Sequence, residues 1–154
     1  MRTNREALEA VIRHASELED DYDAIAPTMA ELKVSGDTAL VPRLVEALKQ
    51  FLIEQNFYGR DLMAQIMAGI QGVTALPTLL HASARDLGDD QDSLQAEILD
   101  VMLLDPTTAR TIANRFATAE SPVLRGAGLR ALNLLEFIVE GSIGELRRGR
   151  ESTG

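Results

Sequence analysis

The twelve residues from Asp86 to Glu97 carry oxygen donors at a spacing that invites metal chemistry. Asp86, Asp90, Asp92 and Glu97 fall at the first, fifth, seventh and twelfth positions, where a calcium-binding loop places ligands. Two positions argue against it. Gly88 stands third, where an oxygen is wanted, and Gln91 stands sixth, where such a loop needs glycine for its sharp turn. The expectation is a solvated loop in which Asp92 caps the next helix. No metal and no cofactor is expected.

Other catalytic chemistry finds little support. His14 and His81 are the only histidines, and four residues after them stand Leu18 and Arg85, not a second ligand for a shared metal. Gly69, Gly72, Gly126 and Gly128 neither follow a strand pattern nor precede a Lys-Ser/Thr pair, so no phosphate-cradling loop is indicated. The chain has no cysteine, which removes disulfides, thiolate metal sites and a cysteine nucleophile. No catalytic residue is assigned, and a non-enzymatic protein is expected.

The net charge of −9 bears on partners. A phosphate backbone attracts Lys and Arg and would be repelled by this chain overall, so nucleic acid is not expected as a partner. A basic protein is. No apolar run approaches the ~18 residues a membrane span needs, and the N-terminus runs straight into a charged helical pattern. A cytoplasmic protein follows as the expectation, with no membrane partner.

Elements that could position these residues come from an internal repeat. Leu62-Met63-Ala64-Gln65-Ile66 can be laid over Leu94-Gln95-Ala96-Glu97-Ile98 and over Arg125-Gly126-Ala127-Gly128-Leu129, with the central alanines 32 and 31 residues apart (96 − 64 and 127 − 96). Ahead of each lies a second register: Leu40-Val41-Pro42-Arg43-Leu44, then Ala75-Leu76-Pro77-Thr78-Leu79, then a looser copy at Thr108-Ala109-Arg110-Thr111-Ile112. Two helices recurring at this period mark a helical solenoid. Aromatic residues supply only 4% of the chain, so Leu, Ile, Val, Ala and Met must build the core, which suits close helix packing.

The predicted architecture is all-α: about three antiparallel helix pairs in a short right-handed α-solenoid, behind an irregular N-terminal helical cap. Thr3 or Asn4 caps a first helix with Leu8, Val11, Ile12 and Leu18 on one face. Pro27 should break or restart the second helix. Asp37 and Thr38 precede a helix with Pro42 early in it, and Asp105-Pro106 repeats the device. Gly141, Ser142 and Gly144 should end the last helix near Glu140. A single domain over residues 1–145 and a flexible tail over 146–154 follow. Expected core positions include Leu44, Leu48, Ile66, Leu79, Ile98, Ile112, Leu129 and Leu132.

The two-helix unit resembles HEAT and armadillo-like repeats over roughly residues 38–140, in a short form. Val41-Pro42-Arg43-Leu44, Glu97-Ile98-Leu99-Asp100, Leu103-Leu104-Asp105 and the late Leu129, Leu132, Asn133, Leu135 and Glu136 also resemble the Immunity protein 30 family of bacterial polymorphic-toxin systems. That resemblance implies an antidote that binds and blocks a cognate toxin, here a basic, nuclease-type one. Two other readings share the fold. One is a general HEAT-like scaffold or regulatory subunit. The other is an enzyme like the helical-repeat DNA glycosylases, whose basic groove would have to come from Arg147, Arg148 and Arg150. The expected partner surface is the carboxylate-bearing edge of the central repeat, comprising Asp61, Gln65, Asp86, Asp89, Asp90, Asp92, Glu97 and Asp100. The second-helix columns Gln65, Glu97, Gly128 and Ala68, Asp100, Ala131 would spread it across a face of ~30 Å.

Overall fold

Side-chain oxygens just ahead of the apolar runs start the helices. Thr3 accepts from the Glu6 N–H at 3.1 Å, Asn56 from the Gly59 N–H at 2.9 Å and Asp105 from the Thr108 N–H at 3.2 Å. Each satisfies a donor that the first helical turn leaves without a partner. The computed structural model describes residues 2–17 and 21–151, with side chains as far as Ile138. The helices are α1 (Asn4–Ser16), α2 (Tyr22–Val34), α3 (Val41–Ile53), α4 (Phe57–Gln71), α5 (Leu76–Ser83), α6 (Asp92–Leu104), α7 (Pro106–Ala117) and α8 (Pro122–Glu151). No strand occurs among the described residues, and the fold is all-α.

Three consecutive hairpins pair α3 with α4, α5 with α6 and α7 with α8. Between hairpins, α4 packs on α6 and α6 on α8, while α3 packs on α5 and α5 on α7. Helix α5 also packs on α8 and α6 on α7, so contacts cross between first and second helices as well. At the N-terminal end α1 and α2 both pack on α4, which makes α4 the central element. Its Leu62, Met63, Ile66 and Met67 are accordingly sealed from solvent. The stretch Phe57–Ser83 is long and apolar enough for a membrane span by composition, at a mean hydropathy of 1.3. It is divided between this core helix, a 3-10 turn and α5.

The first-helix register holds. Pro42 and Pro77 both lie in the first turn of their helices, each behind a 3-10 turn, Thr38–Leu40 and Gly72–Ala75. There the missing N–H costs no helical bond. The second-helix register holds for α4 and α6 but slips at α8. Leu62 and Ile66 are matched in burial by Leu94 and Ile98, 32 residues on (94 − 62). The next buried pair is Ala127 and Ala131, 33 residues further (127 − 94). The shared alanine was misleading, because Ala64 is sealed in the crowded centre of α4 whereas Ala96 is exposed. Leu129, expected in the core, is therefore 49% exposed, and Leu132 is only half-buried. The other expected core positions are buried.

Three further expectations need correction or qualification. Helix α2 runs unbroken through Pro27, because Ile25, Met29 and Leu32 anchor it on the core and the exposed proline removes only one early backbone bond. Helix α8 continues through Gly141, Ser142 and Gly144 to Glu151; glycine and serine are poor helix formers, but neither breaks a helix as proline does. The expected tail from 146 is thus helical as far as 151, and 152–154 lie outside the described residues, as does Leu18. Gly128 belongs to no surface column. A Cβ there would lie 2.3 Å from the Ala117 nitrogen and 2.7 Å from the Ala113 oxygen, so only glycine lets α8 cross α7 this closely.

Candidate partner-binding site

Helix α4 sets the site through one residue that the sequence pattern hides. Arg60 is fully buried, and its guanidinium holds the α5–α6 loop from within. Nη1 donates to Oδ1 of Asp89 at 2.9 Å and Nη2 to Oδ2 at 2.5 Å, while Nε donates to Asp61 Oδ1 at 2.9 Å. A planar fork meeting both oxygens of one carboxylate is the strong, oriented form of an ion pair. Burial pulls the Arg60 pKa down, but the two carboxylates outweigh it and the net shift is upward.

The two acids on this guanidinium titrate in opposite directions. Hydrogen bonding from Arg60 holds the Asp89 carboxyl below the usual aspartate range, against a weaker opposing effect of burial. Asp61 is pushed upward, first by burial and then by the nearby charges of Asp89 and Asp90, which together exceed the help from Arg60. Glu97 on α6 is also raised, by burial first and then by Asp100 and Asp61, with Lys33 opposing. Asp61, Asp89, Asp90, Glu97 and Asp100 thus form one electrostatically coupled acidic cluster on α4, the α5–α6 loop and α6.

The remaining expected residues divide. Asp86 and Asp90 are exposed on the loop, where they accept from the backbone N–H groups of Gly88 and Asp92 at 2.8 and 3.2 Å. Gln65 is half-buried one turn beyond Asp61 on α4. Asp92 does not cap α6. The cap position is Gln91, held at φ 60° with its N–H donating to Asp89 Oδ2 at 3.3 Å, so Asp92 becomes the first helical residue. Of the outlying column, Ala131 is buried beside Gly128 and cannot contribute to a surface.

Beside the acidic cluster lies a trough that the sequence pattern does not reveal. One part encloses about 440 Å³ between Asp90, Gln91 and Gln95 on one wall and Arg130, Leu134 and Phe137 on the other. A second part, about 360 Å³, continues past Asp86 and Asp89 to Val123 and Gly126. Asp90, Gln91 and Arg130 belong to both, so the two parts form one channel along α8. Phe137 is 77% exposed and Val123 55% exposed at its two ends. Reading α8 at an offset of 33 instead of 31 would have turned Leu129 outward and brought Phe137 into view.

The histidines have structural employment. His14 is buried with its Nε2 2.8 Å from the Tyr58 hydroxyl, and exposed His81 meets the Phe116 ring edge-on at a centroid distance of 5.2 Å. No family model, curated protein or solved structure matches the chain.

Proposed function

We propose that this chain is a non-catalytic protein-binding module that docks a basic partner along the trough between the α5–α6 loop and α8, beside the acidic cluster of α4 and α6. The observation carrying this reading is the trough itself. It joins exposed Val123 and Phe137 to a wall bearing Asp86 and Asp90, and apolar anchors beside charged edges are the anatomy of a protein-binding patch. The layered hairpins suit a short HEAT-like solenoid, an architecture whose usual use is to present an extended surface.

Within that class we favour an antidote that sequesters a basic toxin in the cytoplasm. Its support is the −9 charge and the family resemblance, since complementary charge accelerates encounter while a few apolar anchors supply affinity. A scaffold or regulatory subunit would use the same surface for a different partner. Co-expression with any toxin domain that proves to be encoded beside this chain is the test. Protection is expected, and it should be lost when Phe137→Ala and Asp90→Lys are combined. No binding and no protection by the unaltered chain would remove the antidote reading.

A further inference from the structure

The exposed side of α8 carries a second stripe, distinct from the one that packs inward. Val123, Gly126, Arg130, Asn133 and Phe137 follow one another at steps of three, four, three and four residues. That is the seam spacing with which one helix receives another at a shallow angle. All five line the trough, so the stripe faces open space beside the α5–α6 loop rather than a neighbour in the fold. It spans 14 residue steps (137 − 123), about 21 Å of helix. An open stripe of that length matches about four turns of a second helix laid along it.

Resting on the protein-binding reading above, we infer that the trough receives an amphipathic helix from the partner, with apolar anchors over Val123 and Phe137 and a basic flank against Asp86 and Asp90. Charge selects this occupant. Asp86 and Asp90 have only backbone N–H partners among the described residues, and neither is held in an ion pair, although Arg130 lines the opposite wall. A Lys or Arg flank would supply one. Arg130 and Asn133, midway along the seam, call for an acceptor near the centre of the incoming helix. Gly126 deepens the floor there: a Cβ built on it would meet only the movable end of Arg130, at 3.4 Å. A second copy of this chain is the poorer occupant, because each copy carries −9 and would bring its own acidic loop to the interface.

The loop wall is pre-set for this role. Asp89 is clamped by buried Arg60 and in turn holds the Gln91 N–H, so the middle of the loop that carries Asp86 and Asp90 is tied to α4. Ordering a loop in advance removes part of the entropy cost of association.

The test uses two synthetic amphipathic helical peptides with Leu and Trp at seam positions, one flanked by Lys and Arg, the other by Glu. Peptide Trp fluorescence reports binding cleanly, since this chain has no tryptophan. One-to-one binding of the basic peptide is expected, about tenfold or more tighter than the acidic one. Phe137→Ala should weaken it about tenfold, and Asp86→Lys with Asp90→Lys should reverse the preference. Reversing Asp23 and Glu31 on α2 instead should leave affinity unchanged. Equal loss in that control, indifference to Phe137→Ala, or no binding of the basic peptide would overturn the inference. So would a stable dimer of the unaltered chain that Phe137→Asp dissolves. If the peptides fail but a protein partner still binds through Phe137, the helical occupant is wrong and the protein-binding reading survives.

Discussion

Arg60 and Asp89, twenty-nine residues apart in sequence, meet as a two-pronged ion pair whose guanidinium is fully buried. Removing one member strands the other's charge in a poorly solvated place, which costs far more than the pair itself contributes. Asp89→Ala should therefore destabilise the fold by about 3 kcal/mol in urea unfolding, with Asp61 left as partial consolation for the guanidinium. The double replacement Arg60→Met with Asp89→Leu should recover most of that loss.

The corrected register of α8 separates two leucine-class positions that the repeat had equated. Ile98 is 1% exposed, so Ile98→Ala should cost about 2–5 kcal/mol through the cavity it leaves. Leu129 is 49% exposed, and Leu129→Ala should stay within about 0.5 kcal/mol of the parent. Paired thermal and urea denaturation of the two variants reads the difference directly.

Two glycines on α8, one helical step apart on either side of Ala127, should respond with opposite signs to the same methyl group. Gly128→Ala forces backbone atoms of α7 away from sub-contact distance and should destabilise by about 1–3 kcal/mol or more. Gly126→Ala meets only the tip of Arg130 and should gain up to about 1 kcal/mol from helix propensity. A shift of the unfolding midpoint in the same direction for both would contradict the α7–α8 packing.

The acid limb of the stability curve should have two phases. Asp61 and Glu97 bind their protons more tightly folded than unfolded, so lowering the pH from neutral toward their ordinary values of 3.8 and 4.5 should raise stability. Asp89 is lowered from 3.8, so its contribution is complete above that pH and is lost as the pH falls further. A stability maximum on the acid side of neutral is expected from thermal melts across pH. Glu97→Gln should raise the melting temperature at pH 7 and lose its advantage below about pH 4.5, the ordinary glutamate value. No change at pH 7 would show that Lys33 compensates the glutamate fully.

Much of the all-α framework could be read from local signals, because those signals act locally. Thr3, Asn56 and Asp105 cap helices by bonds spanning three residues, and Pro42, Pro77 and Pro106 favour helix starts by fixed backbone geometry. The site was only half visible. Its acids stood out as a cluster, and Asp61, Asp89, Asp90, Glu97 and Asp100 do interact. The buried cation that orders them was hidden, since nothing near Arg60 in sequence announces Asp89. The trough was missed for a different reason. Two alanines of unequal burial aligned the repeats by identity, whereas the packing aligns them by buried position, and the resulting slip concealed Phe137.

The central place of α4 gives the molecule an uneven resistance to opening. Helices α1, α2, α3, α5 and α6 all lean on it, whereas α8 closes the far end of the row with only the earlier helices behind it. Breathing motions that expose backbone amides to exchange should therefore begin at the α7–α8 end and reach α4 only when the whole chain unravels. In deuterium labelling, the N–H groups from Leu62 to Met67 should be the last to exchange. The acidic α5–α6 loop is thus tethered through Arg60 to the segment expected to open last, while the facing wall on α8 belongs to the one expected to open first. A partner seated between them would register as protection gained chiefly on the α8 side.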